Sequence, residues 1–361
     1  MVPCGPERRA LPSGPTRPHA FGPFETVPHD ARPGPGRPSP LAMRLCLLAA
    51  LALAAAPAWG QARGETAFDL VRLDPSARAA ALAGAGALPG DDPTAGFYNP
   101  ALLAPPMSRA LAIGYTNHVA DVSAGSAVYA RDLRRLGLTG SLAVRFLSYG
   151  EFDRRAGDEA PSGTFSAGET AVTATLAREV LPRLRAGASV HALFASIDEA
   201  GASALAGDLG VVYAAPEQAL TLGASVHHVG ATLSSLGAER DRLPLDVRLT
   251  ATKGLRYLPL TVSVSGIDLQ DMGGADADSS LLVRTLDHLA LGGELALGQA
   301  LSVRLGYNGR RGDALRSGGR LDLAGTSVGA GLALRRVTVD YAFTNWGDFG
   351  GYHQFGLRTK L

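Results

Sequence analysis

The chain has 361 residues, of which 46% are hydrophobic and only 19% charged, with a formal net charge of +1 and 45 glycines. The charged fraction is below the usual quarter, and only one stretch is continuously apolar. These features exclude a highly charged disordered chain and a bundle of transmembrane helices. A glycine-rich chain with few charges favours β-structure with many turns.

The continuously apolar stretch, residues 43–62, has the pattern of a secretory signal peptide. Arg44 precedes a short apolar core, and the small residues Gly60 and Ala62 follow it. The core is too short for a transmembrane helix, which needs about 20 apolar residues, although a buried core helix is an alternative. We therefore predict cleavage before a mature chain that begins near Arg63.

Residues 1–42 form a tract rich in proline, glycine and arginine, with no periodicity that could bury a core. We predict that Met43 is the true start and that residues 1–42 are a non-native or disordered extension.

Both cysteines, Cys4 and Cys46, precede the predicted cleavage point. The mature chain is therefore predicted to have no disulfide and no cysteine-ligated zinc. Removing residues 1–62 lowers the Lys and Arg count from 34 to 28 and the Asp and Glu count from 33 to 30. This balance lacks the basic character of a nucleic-acid-binding protein.

Residues 110–361 alternate apolar and polar side chains with period two, as strands with two different faces do. In residues 301–308, for example, every second side chain is apolar. Fourteen strands are predicted, many of them about ten residues long, which is enough to cross a bilayer when tilted. The strands are predicted at 110–118, 122–132, 138–149, 164–178, 184–197, 204–214, 218–229, 244–254, 258–268, 287–297, 300–309, 322–334, 337–345 and 352–361.

The connections between these strands alternate between short and long. Tight links are predicted at 215–217, 255–257, 298–299 and 335–336. Long, polar loops are predicted at 150–163, 230–243, 269–286 and 310–321. This asymmetry is typical of an outer-membrane barrel with periplasmic turns and extracellular loops.

We therefore predict an all-β fold, an antiparallel up-and-down β-barrel that spans the outer membrane of a diderm bacterium, with both termini in the periplasm. The 6% aromatic content is low for two aromatic girdles, and the first connection, 119–121, is short where a long loop is expected. A soluble secreted β-sandwich therefore remains an alternative.

Residues 63–109 do not alternate and are predicted to be a short helical segment that plugs the barrel. A helix is predicted to start with Asp74 as its cap and Pro75 at its first position, and to end at Gly84. A second helical turn is predicted to open at Asn99-Pro100.

Two runs in this segment, Phe68–Gly86 and Asp91–Leu103, resemble the opening of the PorV/PorQ family of outer-membrane barrels. The most specific parts are Ser-Ala-Arg-Ala-Ala-Ala-Leu and Tyr-Asn-Pro-Ala-Leu-Leu. Residues 114–121 and 351–361 place the chain nearer to the PorQ branch. The remaining strands match the family in character only.

The resemblance implies a fourteen-stranded barrel similar to the fatty-acid-transporter (FadL-like) fold, acting without catalysis in the type IX secretion system. It would assist cell-surface attachment or translocation of cargo that carries a C-terminal secretion signal. The implied partners are outer-membrane lipids, a sortase-like protease, a PorV-like shuttle, a PorZ-like protein and the cargo. The alternative, based on the fold alone, is a FadL-like transporter of hydrophobic small molecules.

Six residues match the motif of the family, and we interpret them as structural, in caps, turns and plug packing. They are Asp74, Pro75, Ser76, Arg78, Asn99 and Pro100.

No catalytic, cofactor or metal site is predicted, and we do not expect an enzyme. Asp271, Asp276 and Asp278 lack the spacing of a calcium loop and are interpreted as part of a solvated loop. His227 and His228 are adjacent on a strand, so they are expected to point to opposite faces and not to share a metal.

The hydroxyl and arginine side chains on the strands are given structural roles as well. Ser189 and His191 share one strand face, but we interpret them as a chance pair, and Ser263 and Ser265 have no evident partner. The remaining candidates are arginines predicted to face the lumen, because a charge at the lipid midplane costs about 2–4 kcal/mol. They are Arg145, Arg185, Arg248 and Arg304.

Overall fold

The structure, a computed structural model, describes residues 68–86, 90–118, 122–155, 162–237, 242–272, 280–315 and 323–361. The predicted signal peptide, the extension 1–42, the connection 119–121 and the loop residues Asp276 and Asp278 lie outside the described residues.

Fourteen antiparallel strands in the described part of the chain form one closed barrel. Each strand pairs with its neighbours in sequence, and the first pairs with the last, with Ala110 opposite Lys360. The predicted fold class is thereby confirmed, and the β-sandwich is excluded because one closed sheet replaces two packed sheets. The strands are β1 (Ala110–Asn117), β2 (Ser123–Leu133), β3 (Leu138–Arg154), β4 (Gly163–Leu181), β5 (Leu184–Ile197), β6 (Ala200–Ala215), β7 (Leu220–Ser234), β8 (Asp246–Gly254), β9 (Leu260–Gly266), β10 (Leu289–Leu297), β11 (Leu301–Asn308), β12 (Thr326–Leu334), β13 (Val337–Asn345) and β14 (Gly351–Lys360).

Four strands, β3, β4, β6 and β7, are longer than predicted. Much of the predicted loop 150–163 is paired, since Glu151–Arg154 of β3 lies opposite Gly163–Ser166 of β4 after a bulge between Ser148 and Glu151. Strand β7 likewise continues into the predicted loop 230–243. Backbone pairing does not require an apolar face, so polar hairpin ends escape a prediction based on apolar alternation.

The connections divide the barrel into a short-turn end and a long-loop end. At the short-turn end the links are 134–137, 182–183, 216–219, 255–259, 298–300 and 335–336. At the opposite end longer connections include helix α2 (Leu281–Asp287) and helix α3 (Gly309–Ala314). The predicted asymmetry is found at the β3–β4, β7–β8, β9–β10 and β11–β12 connections, whereas the β1–β2, β5–β6 and β13–β14 links are short although they lie at the long-loop end.

The outer face of the barrel is an apolar belt, and its inner face is largely polar. Leu142 and Leu305 on the outer face are 66% and 62% exposed, whereas Arg304 and Asp340 on the inner face are 3% and 2% exposed. An exposed apolar surface that runs round the whole sheet fits contact with lipid. None of the helices in the described part of the chain is long and apolar enough to span a membrane.

Residues 68–86 and 90–107, which we call the plug, lie against the inner face of the barrel. Helix α1 (Ala77–Ala81) contacts β11 to β14, and the 3₁₀-helix Pro100–Leu102 contacts β4 to β6. Glycines in the wall allow this close approach, because a Cβ at Gly306 would overlap the Leu82 backbone and one at Gly187 would overlap Pro100.

The start of helix α1 differs from the prediction. The helix begins at Ala77 with Ser76 at the N-cap position, so Asp74 is not its cap and Pro75 is not its first residue. The Asp74 carboxylate is instead engaged by tertiary partners that the local pattern does not reveal. After the helix, Gly84 has a φ of +72° and its N–H donates to the Ala79 carbonyl at 2.9 Å. That conformation favours glycine.

The second predicted helical turn is confirmed as the 3₁₀-helix Pro100–Leu102. The Asn99 side chain caps it by accepting the Ala101 N–H at 2.9 Å.

Two substitutions on the outer face of β11 test the lipid contact. Leu305→Arg places a charge in the middle of the apolar belt and should reduce the free energy of unfolding in lipid vesicles by about 2–4 kcal/mol. Leu301→Arg, on the same face beside the short turn, should cost only about 0–1 kcal/mol. Denaturant unfolding measures both, and equal losses would contradict the placement of the belt in the bilayer.

Candidate functional site

A chain of alternating charges joins the plug to the wall on the β10–β14 side. Arg78 of helix α1 donates two hydrogen bonds to Glu294, at 3.0 and 2.9 Å. Glu294 also accepts from Arg304 at 2.6 Å, and Arg304 donates to Asp340 at 2.7 Å. Each buried charge therefore has an opposite charge beside it, as burial requires.

This series of paired charges continues from the wall back to the plug through Arg358. Its guanidinium lies 3.0 Å from Asp340, 3.3 Å from Asp91 and 3.7 Å from Asp92. Burial raises the pKa of the Asp92 carboxyl, but the charges of Arg358 and Arg78 and hydrogen bonds from Thr94 outweigh burial and hold the pKa below its ordinary value. This stabilisation is present at neutral pH and is lost as the pH falls through the depressed pKa.

Asp74 is the second attachment point of the plug. Its carboxylate accepts from the Tyr98 hydroxyl and from Arg311 of helix α3, each at 3.1 Å. The Asp74 carbonyl accepts from Gln354 of β14 at 2.6 Å, and the Pro75 carbonyl accepts from Ser126 of β2 at 2.7 Å. Asp74 thus links the plug to the wall and to the long-loop end.

Asn99 is the third attachment point. Its Nδ2 donates to the carbonyls of Val211 at 3.2 Å and Ala224 at 3.1 Å, on β6 and β7. A Cβ at Gly210 would overlap the Asn99 amide, so the wall is shaped to admit this side chain. All six residues of the predicted motif match therefore lie in the plug; Asp74, Arg78 and Asn99 bond residues outside it, whereas Ser76 occupies the N-cap position of helix α1 without a side-chain cap hydrogen bond.

The four arginines predicted to face the lumen do so. Arg145 donates to the carbonyls of Leu70 at 2.5 Å and Leu73 at 2.6 Å. Arg185 donates to the Ala101 carbonyl at 3.1 Å and also bonds Leu103. The other two pair with acids of the wall: Arg304 with Glu294 and Asp340, and Arg248 with Asp246 at 2.5 Å.

A cluster of three histidines surrounds Asp208 of β6 beneath the plug. The Asp208 carboxylate lies 2.8 Å from His191 Nε2 and 3.2 Å from His227 Nδ1. It also accepts the backbone N–H of His228 at 2.9 Å. The Asp208 carboxylate therefore links the three neighbouring strands β5, β6 and β7.

The prediction that His227 and His228 point to opposite faces is wrong. His228 has a φ of +59° at a register shift opposite Gly207 and Leu209. Such a bulge lets consecutive side chains share one face. The two rings lie 5.9 Å apart and line the same cavity. Within the described ranges, no group of three His, Cys, Asp or Glu side chains is arranged to hold a metal ion.

The second ring nitrogens of His191 and His227 are also engaged, and His228 Nδ1 donates to the Pro244 carbonyl at 3.0 Å. His191 Nδ1 lies 2.9 Å from the Thr173 hydroxyl, and His227 Nε2 lies 2.8 Å from the Ser225 hydroxyl. Ser225, His227 and Asp208 thus have the order of a catalytic triad. The adjoining cavity of about 30 Å³ has room for only a few water molecules, so this arrangement presents no substrate site in the closed barrel.

The serines considered as nucleophiles pair with threonines across the inner face. Ser189 bonds Thr175 at 2.9 Å rather than His191, and Ser263 bonds Thr252 at 2.8 Å. Ser265 donates to Thr250 at 3.2 Å. These are cross-strand hydroxyl pairs that satisfy the buried wall.

The lumen wall between β2 and β6 is mostly apolar in the half next to the long-loop end, with Glu169 of β4 as a buried acid among its alanines and leucines. We call this surface the apolar wall. Phe68 and Leu70 of the plug pack in the same cluster. The lumen therefore has a charged side and an apolar side. The inner-face residues of the apolar wall are Ala124, Leu147, Ala171, Leu193, Ala195, Ala202, Ala204 and Ala206.

Several residues of the site were missed in the sequence, among them Asp208, Glu294, Asp340 and Arg358. Each is a charged residue at an inward-facing position of its strand, so the period-two pattern carried a signal that could have identified them.

Glu294→Gln tests the charged chain. The substitution keeps the shape of the side chain but removes the negative charge beside Arg78 and Arg304. The free energy of unfolding should therefore fall by about 3–5 kcal/mol. Glu217→Gln removes the partner of Arg183 in an exposed pair and should change stability by about 0–1 kcal/mol. Denaturant unfolding in detergent measures the free energy of unfolding of both variants. Equal losses would show that the buried series of charges contributes little to stability.

Comparison with known proteins identifies the fold and no more. The sequence matches no protein-family model and no curated protein. The toluene transporter TodX of Pseudomonas putida superimposes with a TM-score of 0.51 at 13% identity, over 81% of this chain and 98% of that chain. A deltaS2 mutant of TodX, described as a monoaromatic hydrocarbon channel, gives 0.52 at the same identity and coverage. The chain therefore shares the FadL-like barrel fold.

Proposed function

We propose that this protein is an outer-membrane channel for small apolar molecules, closed by its plug in the conformation described above. The apolar belt and the predicted signal peptide support a location in the outer membrane of a diderm bacterium. The similarity to a toluene transporter supports the same class of cargo.

The apolar wall carries this proposal. Water-filled diffusion porins have polar lumens, whereas here Ala171, Leu193 and Ala204 belong to an apolar surface inside the barrel. Phe68 and Leu70 cover that surface. An apolar solute that takes their place would bury apolar area against the alanines and leucines of that wall.

Passage requires the plug to move. Two cavities that the plug helps to line measure about 20 and 30 Å³, which is room for water but not for an aromatic molecule. The segment over the apolar wall is held by Arg145 on the carbonyls of Leu70 and Leu73, and by Glu169 on the Leu70 N–H at 2.8 Å. Releasing these few hydrogen bonds would uncover the apolar wall.

A disulfide between the plug and the wall tests this mechanism. A Cβ at Gly356 of β14 would lie 3.4 Å from the Ala77 Cβ, close to the spacing in a disulfide. In Ala77→Cys/Gly356→Cys, oxidation should lower toluene entry into proteoliposomes by at least about tenfold, because segment 68–73 runs directly into helix α1 and full opening of the lumen requires the helix to move with it. Reduction should restore entry.

The single variant Ala77→Cys is the control and should transport equally under both conditions. Unchanged transport by the oxidised double variant would contradict a channel opened by the plug.

A role in type IX secretion is a second candidate, favoured by the resemblance of residues 68–86 and 91–103 to the PorV/PorQ family. It would bring a sortase-like protease, a PorV-like shuttle, a PorZ-like protein and cargo to this barrel. The matching residues Asp74, Arg78 and Asn99 are occupied between plug and wall. The resemblance therefore supports a common plug more directly than a common partner surface.

Deletion of the gene separates the two candidates. For a channel, uptake of monoaromatic hydrocarbons should fall while cargo with C-terminal signals still reaches the cell surface. Loss of surface cargo with normal hydrocarbon uptake would favour secretion and contradict the channel. Complementation with the disulfide variant under oxidising and reducing conditions links the phenotype to plug movement.

A further inference from the structure

The short-turn end of the barrel is strongly basic. Within the described residues, and apart from the side chains that bond within the lumen, its turns and adjoining strand ends carry eleven basic side chains and three acidic ones. The acids are Asp132, Glu179 and Glu217. We call the basic set the basic ring; it consists of Arg109, Arg131, Arg134, Arg135, Arg178, Arg183, Lys253, Arg256, Arg335, Arg336 and Lys360.

Three members of the basic ring lie on the lipid-facing side of the sheet. Arg131, Arg178 and Lys253 are exposed and pair in register with Gly140, Ala186 and Val262, which lie on the outward-facing side of their strands. Among the described strand residues, these are the outward-facing Arg and Lys side chains. They follow directly on the apolar belt, at its edge near the short turns.

The opposite edge of the belt has the other sign. Glu151 and Asp153 of β3 pair with Ser166 and Thr164, which are outward-facing positions of β4 near the long loops. Both acids are exposed. The barrel therefore has a basic rim at one membrane edge and acidic outward residues at the other.

Local acids cannot neutralise the basic ring. Asp132 pairs with Arg134 at 3.1 Å, and Glu217 pairs with Arg183. Among the described residues, most of the eleven positive charges therefore have no acidic side chain paired with them.

We propose that the basic ring binds the anionic headgroups of glycerophospholipids in the leaflet at the short-turn end. Its residues come from the β2–β3, β4–β5, β8–β9 and β12–β13 turns and from both ends of the barrel region, so they surround the circumference. An acidic protein would contact one sector, whereas headgroups contact every side at the level where the apolar belt ends. Long basic side chains reach that level from the edge of an apolar surface.

This binding rests on the membrane location in the proposed function but not on transport. It fixes the depth of the barrel and orients its short-turn end toward the leaflet that is richer in anionic phospholipid. The attraction is electrostatic and weakens with salt.

The test uses the purified mature protein in an uncharged detergent, with binding of phosphatidylglycerol and phosphatidylcholine followed by native mass spectrometry. The wild type should prefer phosphatidylglycerol. In Arg131→Gln/Arg178→Gln/Lys253→Gln the preference should fall by about fivefold for each charge removed, or on the order of 100-fold.

A control variant removes the same charge from the other end: Arg154→Gln/Arg155→Gln/Arg242→Gln, all exposed at the long-loop end. It should keep the preference. A shift in gel mobility on boiling verifies that each variant is a folded barrel.

Three results would overturn the proposal: no headgroup preference in the wild type, an unchanged preference in the ring variant, or an equal loss in the control. Capture of an acidic protein by the ring without any lipid preference belongs to the first of these. The lipid-binding assay contains no transported solute, so its result does not depend on whether the protein is a channel.

Discussion

The pairing of buried charges in the lumen is the constraint on which the rest of the structure depends. A sheet with lipid outside must turn its polar side chains inward, and a charge removed from water is stable only beside an opposite charge or with hydrogen bonds such as those that Arg145 makes to plug carbonyls. Arg304 lies between Glu294 and Asp340, and Arg78 of the plug is the second arginine that pairs with Glu294. The plug is therefore part of the electrostatic interior of the barrel rather than an object placed in an open pore.

The two sides of the lumen hold the plug by different means. On the β10–β14 side, helix α1 is held by charges and by glycines that admit its backbone. On the β2–β6 side, Phe68 and Leu70 rest on alanines and leucines, with a few hydrogen bonds at the segment 70–73. Charged contacts are costly to separate in a dry interior, whereas an apolar ligand can replace apolar contacts. The proposed opening accordingly begins on the apolar side, and helix α1 must follow before the lumen is open.

The outer surface of the barrel has two parts, an apolar belt and charged residues at the two edges of that belt. The apolar belt marks where the barrel meets lipid, and under the proposed headgroup binding the charges at its two edges determine its orientation. Arg131 and Arg178 at one edge, with Glu151 and Asp153 at the other, give the barrel a polarity along its axis that the belt alone does not supply.

The sequence by itself determined the strands and their faces. Period-two alternation is a local property, so fourteen strands, the asymmetry of their connections and the inward position of Arg145, Arg185, Arg248 and Arg304 followed from it. The tertiary structure alone decided the partners. Arg78 meets Glu294 across 216 residues, and Asp74 serves Tyr98 and Arg311 instead of capping a helix. His227 and His228 share one face because of a bulge. Such pairings depend on how distant strands register when the barrel closes, and no local pattern encodes that register.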